Sequence, residues 1–102
     1  MTVLLDNAQL VIAANIAAPT TFLPVKPGVN RVSIIYPVGV TGTITPKFTV
    51  DPENTNSLDS VRENGTAVAA TGSKSFQVLG PGWIGFVAAT LSGGSVTVQV
   101  SR

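Results

Sequence analysis

The chain has 102 residues, enough for one domain, and only 11% of them are charged, against about a quarter in an average soluble protein. It has no cysteine, which excludes disulfides and thiolate chemistry, and no histidine, which removes the usual general base and the commonest zinc ligand. A net charge of +1 predicts no strongly basic surface of the kind that binds nucleic acid or an anionic membrane. With 33 Val, Ile and Thr residues, ten glycines and seven prolines, the composition predicts a small all-β protein that is not an enzyme and uses no cofactor or metal.

The first twenty residues are compatible with either helix or strand. Asp6 could cap a helix with Gln9 at its third position, whereas residues 3–5 and 10–13 could be strands, and we favour extended structure. No basic residue precedes the apolar stretch at 10–18, so we expect no signal peptide, and the stretch is shorter than the roughly 20 residues that cross a bilayer. Residues 1–20 are predicted to form an N-terminal arm or an edge strand, and residues 21–102 one domain.

The middle of the chain predicts two strands. Pro27-Gly28 is typical of a type II turn, followed by a strand that begins near Asn30 and alternates Val32, Ile34 and Tyr36 with Arg31, Ser33 and Ile35. In a second strand, Ile44, Phe48 and Val50 alternate with three threonines and Lys47. Pro46 lies within that strand and cannot donate a ladder hydrogen bond, so it marks an edge or a bulge.

A hairpin is predicted at Asn64-Gly65, the strongest two-residue turn pair. Its register would place Val61 opposite Val68, with Arg62 opposite Ala67 and Glu63 opposite Thr66. Five of the eleven charges fall between Asp51 and Glu63, so we expect this hairpin and the residues before it to project into solvent or against a partner.

The C-terminal third predicts a second hairpin, centred on Gly93-Gly94, after a turn at Gly80-Pro81-Gly82. A hairpin centred on these two glycines would pair only apolar residues on one face of its two strands, and Trp83 would lie on that same face. We therefore expect that face to pack against a second sheet that contains Val32, Ile34, Ile44 and Phe48. The predicted buried face consists of Trp83, Val87, Ala89, Leu91, Val96, Val98 and Val100.

Two glycine-containing strings resemble nucleotide motifs but lack their context. GPGWIG at 80–85 fits the dinucleotide fingerprint, yet a predicted hairpin follows it and no acidic residue occurs after Glu63. GSKS at 72–75 has Ser73 where a phosphate-binding loop needs glycine. We interpret both strings as turns.

The acidic residues suggest weaker alternatives. Asp51, Glu53, Asn54 and Asn56 faintly resemble a calcium loop, but its central glycine and distal glutamate are missing. The pairs Asp51/Glu53 and Asp59/Glu63 could be glycosidase carboxylates, although their polar surroundings would hardly raise a pKa. Asn64-Gly65-Thr66 matches the triplet for N-glycosylation, but the predicted hairpin turn already accounts for these residues. Trp83 could stack on a sugar, but the predicted register places it in the core.

Residues 42–102, from GTITPKFTV to SFQVLGPGWIGFVAATLSGGSVTVQVSR, resemble the small β-sandwich virion proteins of tailed bacteriophages. They share short Thr/Val-rich strands, a polar central excursion and a Gly-rich turn before a final TVQV-like strand. The resemblance implies an antiparallel β-sandwich or jelly-roll-like domain in a structural subunit of the virion. Its expected role is capsid decoration (cement), with a tail or head-fibre component as the alternative. It also implies the major capsid protein or another virion protein as partner, and a homotrimer.

Charge distribution supports assembly independently of the resemblance. Residues 7–25, 32–46 and 75–101 carry no charge, and uncharged strand edges are usually covered by neighbours. The candidate partner interface is the N-terminal segment, with Met1, Val3, Leu4, Leu5, Leu10, Val11 and Ile12 as its residues. In the alternative, this segment adds an edge strand to its own sheet. From another functional class, a carbohydrate-binding β-sandwich would require an exposed aromatic platform.

Overall fold

The structure, a computed structural model, describes residues 8–53 and 58–101. Expectations for Met1, Val3, Leu4, Leu5 and the Asp6 cap, and for Asn54 and Asn56, lie outside these residues. The described chain is all-β, as predicted, and antiparallel. Its strands are β1 (Ala8–Ile12), β2 (Leu23–Ile35), β3 (Thr41–Thr49), β4 (Asp59–Ser60), β5 (Arg62–Glu63), β6 (Thr66–Ala67), β7 (Lys74–Ser92) and β8 (Val96–Ser101).

Six strands form one sheet in the order β1-β8-β2-β7-β3-β4, and β5 pairs with β6. The 19-residue strand β7 joins two layers: residues 74–84 pair with β2, and residues 83–92 pair with β3. Val32, Ile44 and Val96 are fully buried, and the described residues contain no helix that could cover them. The sheet therefore folds over itself into a sandwich, with β1, β8, β2 and the first half of β7 in the first layer. The second half of β7, β3 and β4 form the second layer.

The predicted C-terminal hairpin is wrong. Strand β8 does not pair with β7 but lies between β1 and β2, with Val98 opposite Leu10 on one side and Ile34 on the other. Gly93 and Gly94 both have positive φ, of 88° and 145°, as expected for these glycines, but the segment they form links the two layers. A central position buries β8 on both edges, which an isolated hairpin would not do.

The buried face of β7 also differs from the prediction. Ile84, Phe86 and Ala88 are buried, whereas Trp83 is 38% exposed and Ala89 is exposed. The chain does not reverse at residues 80–82, where the Gly80-Pro81 peptide is cis, because β7 continues through them. The alternation that buries Phe76 and Val78 therefore carries on unbroken. Val32 and Ile34 lie beside β8 in the same layer, and not in an opposing sheet.

Strand β2 begins at Leu23, earlier than the predicted start near Asn30. The expected Pro27-Gly28 turn is instead a bulge, with a register shift between Val25 and Gly28 and a φ of 95° at Gly28. The buried Asn30 side chain holds this bulge: its Oδ1 accepts from Lys26 N at 3.1 Å, and its Nδ2 donates to Lys26 O at 2.7 Å and to Gly28 O at 3.0 Å.

The Asn64-Gly65 hairpin is confirmed in its predicted register, with Arg62 opposite Ala67 and Glu63 opposite Thr66. Both turn residues have positive φ, 53° and 81°, as this turn requires. Val68 N donates to Val61 O at 2.8 Å, and both valines are buried, so the hairpin is anchored in the core while its tip is exposed.

Candidate partner interface

The first open side of the sandwich lies at β1. Among the described residues, this strand pairs with β8 alone. Residues 13–21 run beside it in the second layer, where Ile16 exchanges backbone hydrogen bonds of 2.9 and 3.0 Å with Ala88. Pro19 and Phe22 lie close against Gly85, where no Cβ would fit. Between the layers is a mainly apolar cleft of about 290 Å³, lined by residues 10–16 with Thr20, Thr21 and Phe86.

The structure places the predicted interface residues of β1 on two faces. Ile12 is buried in the chain's own core and Leu10 packs against that core, so neither side chain is available to a partner on the surface. Val11 points outward and is 54% exposed. The described residues of the N-terminal segment thus form an edge strand, the alternative considered for them, and what they offer a partner is the free edge of β1, Val11 and the adjoining cleft.

A second open side lies across the first layer from β1. Residues 74–81 of β7 pair with β2 on one edge and, among the described residues, with no strand on the other. Next to this edge is a cleft of about 210 Å³, where Leu79 and Gln77 face Phe48 and residues 59–62. Leu79 is 70% exposed, and residues 75–81 carry no charge. Sequence analysis missed this edge because the predicted turn at 80–82 ended the strand there.

Three loops meet at one end of the sandwich, and we call residues 13–15, 37–40 and 92–95 the loop cluster. Asn15 Oδ1 accepts from Leu91 N at 2.9 Å, which ties the first loop to the end of β7. Gly93 lies against Gly39 so closely that a Cβ on Gly93 would clash with Gly39 O. The loop cluster carries no charge, and the Val38 side chain within it is fully exposed.

Most charged side chains lie elsewhere on the molecule. Lys74 and Glu63 form an ion pair of 2.9 Å, and Lys47 donates to Ser60 Oγ at 3.1 Å, both near the β4–β6 region. Near the base of the loop cluster, the Tyr36 hydroxyl lies 2.7 Å from Ala70 O and 3.0 Å from Gly42 O. Burial raises the pKa of this phenol above its ordinary value.

The described residues offer little for catalysis. Asp51, Glu53, Asp59 and Glu63 are all exposed, which leaves their carboxylates in water. No group of three or more acidic side chains in the described ranges is placed to hold a metal ion. The string at 80–85 lies inside β7, where no helix N-terminus exists to hold a pyrophosphate. Within residues 8–53 and 58–101 there is also no helix able to cross a membrane.

Trp83 belongs to an exposed apolar strip that sequence analysis placed in the core. On the outer face of β7, Leu79, Pro81 and Trp83 follow one another at alternate positions. Their neighbours on β2 are Val29, 58% exposed and opposite Leu79, and Pro24, opposite Trp83. Extending the alternation of Phe76 and Val78 through residues 80–82 would have predicted this strip.

No family model, curated protein or solved structure matches this chain. The fold alone defines its class, a small antiparallel β-sandwich. Its candidate surfaces for a partner are the open sheet edges, the loop cluster and the apolar strip.

Proposed function

We propose that this chain is a non-enzymatic structural subunit of a bacteriophage particle, a decoration (cement) protein that binds and stabilises the major capsid lattice. The observation that carries the proposal is the loop cluster, an uncharged surface with the fully exposed side chain of Val38. A protein with few charges and uncovered apolar side chains is prone to associate, which suits a subunit that functions only in an assembly.

The resemblance of residues 42–102 to small phage virion proteins supports the same proposal, with the virion as location and a homotrimer as the oligomer. The open sides fit copy-to-copy contacts, while the loop cluster at the strand ends is left for the capsid surface. A tail or head-fibre protein would use the same kind of surface on a different partner, so the particle component that is bound decides between them.

The test uses two exposed valines at opposite ends of β3. Val38 precedes this strand in the loop cluster and Val50 follows it, and the nine residues of β3 between them span about 30 Å at 3.3 Å per strand residue. Val38→Asp and Val50→Asp should both fold, because neither side chain is buried. Purified protein is mixed with particles of the encoding phage stripped of it, and pelleted. We expect V38D to lose binding and V50D to keep it.

Equal binding by both variants would refute the role of the loop cluster. Failure of the unaltered chain to bind either heads or tails would refute the virion proposal itself. Cross-linking the bound protein and identifying the partner by mass distinguishes the capsid lattice from a tail component.

The apolar strip favours a second candidate function, binding of a neutral polysaccharide. Trp83 offers a partly exposed aromatic face, and the outer face continues past Leu79 to Gln77 and Arg31, which lie opposite each other. Amide and guanidinium groups donate hydrogen bonds to hydroxyls, and no acidic residue of β2 or β7 interrupts the row. Affinity electrophoresis in gels of soluble cellulose derivative, xylan or starch tests it: retardation lost in Trp83→Ala and kept in Val50→Ala supports it, and no retardation refutes it.

A further inference from the structure

We infer that copies of this chain join head to tail, with the free edge of β1 in one copy pairing with the free edge of β7 in the next. The inference deepens the proposed function, on which it rests, by naming how the structural subunit assembles. Both edges belong to the first layer and lie at its opposite ends, in the order β1-β8-β2-β7. Each copy therefore carries two free edges of the same sheet, one at β1 and one at β7, and the β1 edge of one copy can pair with the β7 edge of another.

Neither edge carries the features that usually protect one. Strand β1 and residues 75–79 have no charge and no proline, and their pairings with β8 and β2 show no bulge. Exposed Val11 and Leu79 stand at the two edges. An unprotected edge of five residues pairs readily with another strand, and here the chain itself supplies a matching one.

The faces of the two edges match. The inner face of β1 presents Leu10 and Ile12, and the inner face of β7 presents Phe76 and Val78. Pairing Leu10 with Val78 and Ile12 with Phe76 keeps apolar side chains on the core side. The same register sets Val11 opposite Gln77 and Gln9 opposite Leu79 on the outer face. A slip of one residue would turn the core side chains of β1 toward solvent, so this parity is strongly specified.

Strand direction is also compatible. Neighbouring strands of the layer are antiparallel, so β1 and the first half of β7 run in opposite directions. A second copy related by rotation about an axis parallel to the strands presents its β1 antiparallel to β7. When such a rotation closes, the result is a ring in which every loop cluster faces the same way.

Pairing of β1 with its own copy is less favourable than head-to-tail pairing. A symmetric β1 pair about Val11 would set Leu10 opposite Ile12, but it would leave the β7 edge of each copy open, with Leu79 exposed. One head-to-tail contact type covers both edges and both adjoining clefts. The occupant of each edge is thus a second copy of this chain.

Engineered disulfides test the register directly, because the chain has no cysteine. Directly opposite strand residues have Cα atoms about 4.5 to 5.5 Å apart, within the range of a disulfide. The variants are Val11→Cys, Gln77→Cys and the double variant, with V11C/S33C as control because Ser33 lies on β2 inside the layer. We expect covalent oligomers from the double variant and a covalent dimer from a mixture of the singles. Each single variant alone and the control should stay uncross-linked.

Cross-linking of V11C alone would establish symmetric β1 pairing and overturn the inference, as would a monomeric mass for the unaltered chain at micromolar concentration. A charge at the edge provides a second test. Leu79→Lys should lower the mass measured by light scattering to that of a monomer, whereas Val29→Lys, on the directly opposite residue of β2, should not. Equal masses for the two variants would count against the β7 edge.

These outcomes are separable from those of the proposed function. Rings that do not bind particles would refute the virion proposal and leave head-to-tail pairing intact. Particle binding by a chain that does not cross-link would refute head-to-tail pairing and leave the virion proposal intact.

Discussion

Replacing Asn30 should destabilise the protein more than its single polar side chain suggests. Asn30 is buried and makes three hydrogen bonds, of 3.1, 2.7 and 3.0 Å, to the backbone of the β2 bulge. At about 1 kcal/mol net for each bond, Asn30→Ala should lower the free energy of unfolding by about 3 kcal/mol. For a domain near this size, that corresponds to a fall in Tm of about 12 to 24 °C. Ser33→Ala is the control, since Ser33 lies on the outer face of the same strand, 3.5 Å from Ser75 Oγ.

Urea unfolding monitored by far-UV circular dichroism measures both variants. A loss of less than about 1 kcal/mol in Asn30→Ala would refute the view that the amide holds the bulge. Asn30→Asp adds a pH test. Its carboxylate would face the Lys26 and Gly28 carbonyl oxygens to which the amide donates, so burial and repulsion should raise its folded-state pKa above the unfolded value of about 3.9.

The sign of that pH effect follows from linkage. Above the unfolded pKa the unfolded chain has lost a proton that the folded chain still holds, so stability falls as pH rises until the folded pKa is passed. Asn30→Ala has no such group. A pH-independent difference between the two variants would mean that the carboxylate escapes to water.

Three further predictions concern the side chains of Val98, Tyr36 and Trp83. Val98→Asp should lower the free energy of unfolding by several kcal/mol because Val98 is fully buried. Thr97 is half-buried on the outer face, so Thr97→Asp should lower it far less. Urea unfolding measures both variants, and equal losses would contradict the burial of Val98. The phenol of Tyr36, the sole tyrosine, should titrate above pH 10 when followed by ultraviolet absorbance. Because its folded pKa is raised, its contribution to stability is present below about pH 10 and is lost as pH rises through the folded pKa. Tyr36→Phe should remove that loss of stability. The emission of Trp83, the sole tryptophan, should be quenched by acrylamide in the folded protein, and a blue-shifted, unquenched emission would restore the buried position first predicted.

Local signals predicted the parts of the fold that depend on few residues. The Asn64-Gly65 hairpin was predicted in its full register because its turn and its partners are adjacent in sequence. The burial of Val32, Ile34 and Ile44 followed from alternation alone. Alternation identifies which side chains face inward, but it does not identify the neighbouring strand.

The position of β8 could not be predicted for that reason. An alternating strand after a Gly-Gly turn suits a hairpin, and it suits insertion between β1 and β2 equally well. The choice depends on the total surface buried across the sheet. The turn predicted at Gly80-Pro81-Gly82 was wrong for a different reason. Such a string usually ends a strand, but here Gly82 lies against the Phe48 ring so closely that a Cβ would not fit. Packing between the layers, and not chain reversal, accounts for that glycine.

The open edges of the candidate interface were visible only once the strand order was known. Val11, predicted as an interface residue, is exposed on β1, but the free edge of β7 could be found only by knowing that β3 begins to pair at Trp83. The loop cluster likewise joins residues far apart in sequence, such as Asn15 and Leu91.

The insertion of β8 between the first two strands also governs the order in which the chain can fold. Val100 must find Ala8, so most of the polypeptide has to be looped out before the first layer closes. Such nonlocal pairing has a high contact order, and folding should take milliseconds to seconds, although the domain is small. Because β8 follows β1 and β2 in the chain, these two strands stay without their shared neighbour until β8 has been synthesised, and during that interval both expose edges to other nascent chains. Slow translation or crowded expression should therefore favour aggregation over folding, and lower expression temperatures should raise the soluble yield.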